Sequence, residues 1–197
     1  MTERRESMKD NYIVQAWLVI LLSLCFGGVL AGVQIGLSQR IADNKLAETM
    51  GQIPQLVPGA EEAASREDEV AGQRVYRAYA GGEQIGWVIP CGGQGFADRI
   101  ELLVGVDVAA EKITGLYVLE QKETPGLGNK IVEDGWRSQF AGKTTMRGLA
   151  VTKAGAKTDS EIDAVTGATI SSESVCQIVN QSLEKMRGGL IAAAGKE

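Results

Sequence analysis

Between Asn11 and Gln39 the chain carries no charged side chain, and within that stretch Trp17 to Ile35 forms an apolar run of about 19 residues. At 1.5 Å per residue a helix over this run is ~28 Å long, matching the hydrocarbon thickness of one bilayer. A cleaved secretory signal would share the charged start at Arg4, Arg5 and Lys9, but its apolar region is typically about 7 to 15 residues, shorter than this one. The bulky Leu24 before Cys25 argues against a lipoprotein cleavage site, and leaves Cys25 as a small apolar residue of the span. We therefore expect a single transmembrane helix over 11–39, behind a cytoplasmic N-terminus at 1–10. The charge bias behind this orientation is slight: three cations precede the span, and Arg40 and Lys45 follow it closely. Gly28, Gly32 and Gly36 recur along one face, a ridge that lets a helix of another membrane protein approach closely.

With 197 residues in all, the part beyond the span can hold one ordinary core. Its composition narrows the chemistry. Lys plus Arg number 20 against 25 Asp plus Glu, a formal charge of −5, so the basic footprint demanded by a nucleic-acid backbone is missing. There is no histidine, which removes the commonest general base near neutral pH, the commonest neutral metal ligand and every Ser-His or Cys-His nucleophile pair. Three cysteines, Cys25, Cys91 and Cys176, fall short of the four thiolates of a ferredoxin-type cluster. Any redox chemistry must then be carried by an organic cofactor or by partners. The 25 glycines exceed the usual share of about 7% and point to many turns and close backbone approaches.

Beyond the span, Ile41, Leu46, Met50 and Ile53 keep a loose helical spacing until Pro54 and Pro58, where the helix is expected to break. Glu61 to Glu69 is acidic and alanine-rich and reads as a linker, which gives a juxtamembrane helix and acidic linker over 40–70. From Val75 the pattern turns to strands. Val75 to Ala80 and Ile85 to Ile89 flank one turn; Ile100 to Val108 and Ile113 to Glu120 flank another. Asn129 to Phe140 reads as a helix carrying Ile131, Val132, Trp136 and Phe140, and Leu149 to Lys153 reads as a strand. Ser171 to Met186 reads as a closing amphipathic helix. Strands in succession followed by helices predict an α+β domain over 71–190, with an antiparallel sheet and flanking helices, and a short tail at 191–197.

The densest chemistry lies in Asp163-Ala164-Val165-Thr166-Gly167-Ala168-Thr169-Ile170-Ser171-Ser172. Gly167 and Ala168 clear space beside the hydroxyl of Thr169, which stands just before the closing helix. Free N–H groups and the positive dipole end of a helix start favour an anion, and Ser171 or Ser172 can cap the helix or donate to a phosphate. On these residues alone, an ordinary Ser/Thr-rich helix cap is the simpler reading. A second stretch, Glu123-Thr124-Pro125-Gly126-Leu127-Gly128, combines a stiffening proline, glycines that admit close approach, an apolar Leu127 and a hydrogen-bonding Thr124. Alone, it is a turn. Gly92-Gly93-Gln94-Gly95-Phe96 is no dinucleotide fingerprint, because Asp98 stands where Gly or Ala is expected and no βαβ unit surrounds it; it reads as a plain turn.

Asp163 to Thr169 resembles the flavinylation motif Asp-x-x-Ser/Thr-Gly-Ala-Thr of the FMN-binding domain family, found in the G subunit of the Rnf complex and the C subunit of the sodium-pumping NADH:quinone oxidoreductase. Glu123 to Gly128 is similar to the loop that this family places against the flavin, and Gly92 to Phe96 resembles the glycine-rich segment after its first hairpin. The resemblance implies that Thr169 carries FMN through a phosphoester bond, made by a dedicated flavin transferase with FAD as donor. Asp163, Thr166, Gly167, Ala168 and Thr169 would form the recognised motif; Thr166, where many members have Ser, keeps the hydroxyl. Glu123, Thr124, Gly126, Leu127, Gly128, Thr166, Gly167, Ala168, Ser171 and Ser172 would surround the covalent FMN, with no metal site.

The chain is short for the quinone-reductase version, so the resemblance to the Rnf G subunit is favoured. It implies a membrane-anchored electron carrier within an ion-translocating ferredoxin:NAD+ oxidoreductase, redox-active as a subunit and not catalytic alone. It further implies a place in the bacterial inner membrane with the FMN-binding domain on the extracytoplasmic side. Other membrane and peripheral subunits would bind NAD and pass the ion. The alternatives are the C subunit of a quinone reductase and, from another class, a non-catalytic anchored binding or assembly module. Cys91 and Cys176 either pair outside the cytoplasm or stay reduced.

Overall fold

The computed structural model describes residues 12–195, and the expected cytoplasmic segment 1–10 lies outside them. The chain divides into two units, residues 1–47 and 48–197. The first holds most of helix α1 (Tyr12–Leu56). From Ala16 this helix is long and apolar enough to cross a membrane, with a mean hydropathy of 2.3 in its most apolar window and none of that window buried. Trp17, Leu18, Leu24, Leu30 and Ile35 all stand exposed along it. Each such side chain left in water forgoes about 1.5–3 kcal/mol of burial, a loss that lipid removes.

Pro54 does not break the helix, contrary to the sequence expectation, and lies inside its last turn. A proline there removes one N–H donor from a helix that is already ending. The Val57 N–H still reaches the Ile53 carbonyl at 2.8 Å. Gly59, at φ +94°, then turns the chain away.

The second unit is built on a five-stranded sheet in the order β1-β2-β3-β4-β5. Its strands are β1 (Arg66–Val70), β2 (Gln73–Ala80), β3 (Glu83–Gln94), β4 (Arg99–Asp107) and β5 (Ile113–Glu120). Every neighbouring pair is antiparallel. Strand β1 corrects the linker reading of 61–69: Arg66 pairs with Arg77 and Val70 with Gln73. Its charge conceals it in sequence, yet charge suits an edge strand because it discourages pairing with other chains. Asp68 accepts from Arg77 Nε at 2.8 Å, and that bond holds the Asp68 carboxyl below its ordinary range.

Side chains alternate across the strands and so feed two cores. On one face Trp87, Ile89, Ile100, Leu102 and Val104 pack under helix α3 (Thr169–Ala194), which contributes Val175, Ile178, Val179, Leu183 and Met186. On the other face Tyr76, Ala78, Val88 and Leu103 meet Ile53, Leu56 and Val57 from the end of α1. Glycine makes the seat for that helix end. Gly105 and Gly115 stand opposite each other in β4 and β5; a Cβ on Gly105 would overlap the Leu56 carbonyl, and one on Gly115 would lie 3.0 Å from Leu56 Cα. Thr114 Oγ1 donates to the same carbonyl at 2.5 Å.

The helix expected over Asn129 to Phe140 is instead three short pieces: 3-10 turns at Gly128–Val132 and Ser138–Phe140 around α2 (Asp134–Arg137). Ile131 and Trp136 are five residues apart, so a continuous helix would aim them in different directions. Extended backbone at Glu133 (φ −69°, ψ 133°) breaks it and lets Ile131, Trp136 and Phe140 all be buried. Strand β6 (Ala150–Thr152) then pairs in parallel with β7 (Glu161–Asp163), a strand too short to signal itself in sequence. Helix α3 also exceeds its expected limits, since it starts at Thr169 and takes in Ile191–Ala194 of the expected tail. Leu190, fully buried, holds this extension.

Candidate functional site

Two tight turns meet at a cleft of about 850 Å³. In the first, Thr124–Leu127, Gly126 takes φ +77°, as the third position of a type II turn requires, and the Leu127 N–H reaches the Thr124 carbonyl at 3.2 Å. The second, Val165–Ala168, repeats this with Gly167 at φ +82° and the Ala168 N–H 2.9 Å from the Val165 carbonyl. The turns touch each other: a Cβ on Gly167 would stand 2.9 Å from Leu127 Cδ2. Two motifs distant in sequence thus form one wall.

Thr169 is the first residue of α3. The N-cap is Ala168, which has no side-chain acceptor, so no side chain caps the helix; both candidate serines lie inside the first turn and are engaged elsewhere. Ser172 Oγ donates to the Ala168 carbonyl and accepts from the Val165 N–H, each at 3.0 Å. Ser171 Oγ donates to Glu123 Oε2 at 2.6 Å. The opening N–H groups of α3 therefore have no partner within the helix, which is the arrangement that receives anions.

Of the residues singled out in sequence, Thr124, Leu127, Gly128, Thr166, Gly167, Ala168, Thr169 and Ser171 line the cleft. Four others sit away from its surface. Gly126 is at the tip of its turn, and Ser172 is fully buried beneath the helix start. Asp163 lies in β7, where its N–H donates to Gln139 Oε1 and its carbonyl accepts from Trp136 Nε1, each at 2.7 Å. Glu123 is buried behind the wall, where it accepts from the Ala97 N–H at 3.0 Å.

Of the other lining residues, Phe96, Ala164, Val165 and Ile170 lie within motif stretches quoted above without having been assigned to the cofactor, and Lys153 lies outside those stretches. Phe96 and Ile170 are more than half exposed and Leu127 nearly half, so the cleft presents apolar surface to solvent. Lys153 supplies the one charge among the lining residues; it directly follows β6, and no local pattern marks it. The glycine-rich segment is also more than the plain turn it reads as. Gly92 and Gly93 belong to β3, a Cβ on Gly93 would stand 2.7 Å from Ile178 Cγ1, and one on Gly95 would overlap Glu123 Oε1. Cys91 and Cys176 are free and buried in the core. Desolvation pushes both thiols up to about 12, which leaves them unreactive.

The residues present fit FMN in type. Apolar side chains suit the faces of a ring system, the uncapped helix start and Lys153 suit a phosphoryl group, and the Thr169 hydroxyl stands beside them. The volume falls in the range of about 300–1,000 Å³ usual for cofactor sites.

A family model described as FMN-binding domain matches residues 95–184, which contain both turns. The G subunit of the Na(+)-translocating ferredoxin:NAD(+) oxidoreductase complex of Acetobacterium woodii is 38% identical over 112 residues, covering 56% of this chain and 53% of that protein. The G subunit of the ion-translocating oxidoreductase complex of Methanosarcina acetivorans is 30% identical over 141 residues, covering 70% of this chain and 72% of the relative. The chain spans about half the length of several curated relatives it matches. The crystal structure of Shewanella oneidensis NqrC is similar with a TM-score of 0.59 at 25% identity, covering 64% of this chain and 62% of that one. On its sequence and its fold together, the chain belongs to the family of Rnf complex G subunits, related to NqrC and built on an FMN-binding domain.

Proposed function

We propose that this chain is a membrane-anchored electron carrier that holds FMN covalently on Thr169 through a phosphoester bond. It relays electrons within an ion-translocating ferredoxin:NAD+ oxidoreductase, whose other membrane and peripheral subunits bind the nicotinamide and pass the ion. A flavin transferase makes the bond from FAD. The anchor lies in the bacterial inner membrane and the domain on its extracytoplasmic side, where a tethered cofactor is not lost by dilution.

One observation carries the reading: Thr169 lines the cleft at an uncapped helix start, beside the touching turns that hold Leu127 and Gly167. When bound, FMN would supply reversible electron uptake and release. The chain's residues supply the setting. Leu127, Phe96 and Ile170 offer apolar surface to the ring and exclude water, while the first-turn N–H groups and Lys153 balance phosphoryl charge. Gly167 and Ala168 keep the approach to the Thr169 hydroxyl open. Gln139 and Trp136 hold Asp163 at the head of the motif, and Ser172 pins the second turn to the helix.

The intact mass of the purified full-length chain tests this. The parent is expected to carry one FMN less one water, and Thr169→Ala none. Flavin fluorescence from Thr169→Ala on a denaturing gel would overturn the assignment. A parent without FMN would instead be a binding or assembly module, and the co-purifying proteins distinguish the Rnf reading from the quinone-reductase one.

A further inference from the structure

Glu123 is only 4% exposed, although the sequence places it with the residues around the cofactor. Its Oε1 accepts from the Ala97 N–H at 3.0 Å and its Oε2 from the Ser171 hydroxyl at 2.6 Å. It accepts at both oxygens, as an ionised carboxylate does. The backbone leaves room for that group: a Cβ on Gly95 would overlap Oε1, and one on Gly128 would come within 2.9 Å of Oε2. Glu123 does not line the cleft, but its neighbours Gly128 and Ser171 do. The charge therefore sits one residue layer behind the wall. There it ties together the turn at Gly95–Ala97, the Pro125 turn and the first turn of α3.

Both hydrogen-bond partners are neutral dipoles, which solvate the charge without cancelling it. Burying a carboxylate is costly even when it is hydrogen-bonded. A glutamine could join the same three segments through its amide, with no charge to bury. The bridge alone does not account for an acid at this position.

We propose that Glu123 is a positioning residue whose buried charge sets the electron affinity of the cleft. It holds the Leu127 turn against α3, and its field disfavours added negative charge in the cleft, with Lys153 acting from the lining in the opposite sense. The inference rests on the cleft being the FMN site. Reduction adds electrons there, so the carboxylate shifts the balance toward the oxidised form. At separations of several ångströms and an intermediate dielectric, one unit charge changes the reduced-to-oxidised ratio roughly tenfold or more.

The experiment is a redox titration of the full-length detergent-solubilised chain, run after intact mass has established FMN on the parent. Glu123→Gln keeps both hydrogen bonds, with its amide oxygen accepting from Ala97 and its amide N–H donating to Ser171, but removes the charge. We expect a more positive midpoint potential, equivalent to a roughly tenfold higher reduced-to-oxidised ratio at fixed applied potential, with the FMN mass and melting temperature retained. Lys153→Gln removes the charge of the lining and leaves the carboxylate in place, so its midpoint moves to more negative values. Loosened packing would move both variants the same way; opposite signs identify the charge. A Glu123→Gln protein that folds, carries FMN and titrates like the parent overturns the inference. If that variant does not fold, Glu123→Asp decides: it keeps the charge and shortens the bridge, so the midpoint should stay near the parent's while the melting temperature falls, and a midpoint shifted by the equivalent of a roughly tenfold ratio is the contrary result. A parent without FMN, visible in the mass before any titration, removes the FMN reading and this inference with it.

Discussion

Gly28, Gly32 and Gly36 of the apolar helix have nothing within 4 Å of where a Cβ would stand, whereas Gly86, Gly93, Gly95, Gly105, Gly115 and Gly128 of the folded unit each have a neighbour at 3.0 Å or closer. In the helix the room left by a missing side chain is unclaimed and open to another polypeptide. In the folded unit the chain itself has already filled it, with the end of α1, with α3 or with the Glu123 carboxylate. The first set shows itself as spacing along one element. The second becomes apparent only once strands and helices are brought together.

This contrast implies opposite responses to an added side chain. Gly105→Ala should have the largest effect, because its Cβ overlaps a backbone carbonyl that can move only with the end of α1. We expect a loss of about 3 kcal/mol, or failure to fold, by chemical unfolding. Gly95→Ala meets the buried, hydrogen-bonded Glu123 carboxylate and, at 2.6 Å, the Asp98 carbonyl of its own turn, which can shift without moving α1. It should cost about 1–3 kcal/mol and lower FMN occupancy in the intact mass; a melting temperature and occupancy like the parent's would blur the contrast. Gly32→Leu should leave the unfolding of the domain within ~0.5 kcal/mol of the parent and reduce co-purification with other membrane subunits. Undiminished co-purification would mean that the ridge is not a contact.

The fold class expected from sequence, α+β with an antiparallel sheet and flanking helices behind a long apolar helix, is the one found. Strands β2 to β5 can be read because β-branched and other apolar residues gather between turn signals, in unbroken runs along β3 and β4 where both faces are buried, and the turns at Gly126 and Gly167 because Pro-Gly and Thr-Gly pairs dictate local geometry. Strand β1 is hidden by the charges that protect an edge, and β7 by its length. Around the cleft, Lys153 and the buried setting of Glu123 depend on which segments fold against each other, information that no local window contains. The hydroxyls of Ser171 and Ser172 look like helix caps for the same reason. Their partners, Glu123 and Val165, become neighbours only in the folded chain.

The docking of Ile53, Leu56 and Val57 on the sheet bears on how this protein could be shed from a membrane. A protease that cut between Pro58 and Ser65 would release a fragment stripped of those side chains, with the apolar face of Tyr76, Ala78, Val88 and Leu103 open to water. Such a fragment is expected to aggregate, whereas one beginning at Glu48 keeps that face covered and should remain monomeric by size-exclusion chromatography. The domain has a clean point of severance only upstream of Glu48, so the final turns of the anchoring helix travel with it as a cover.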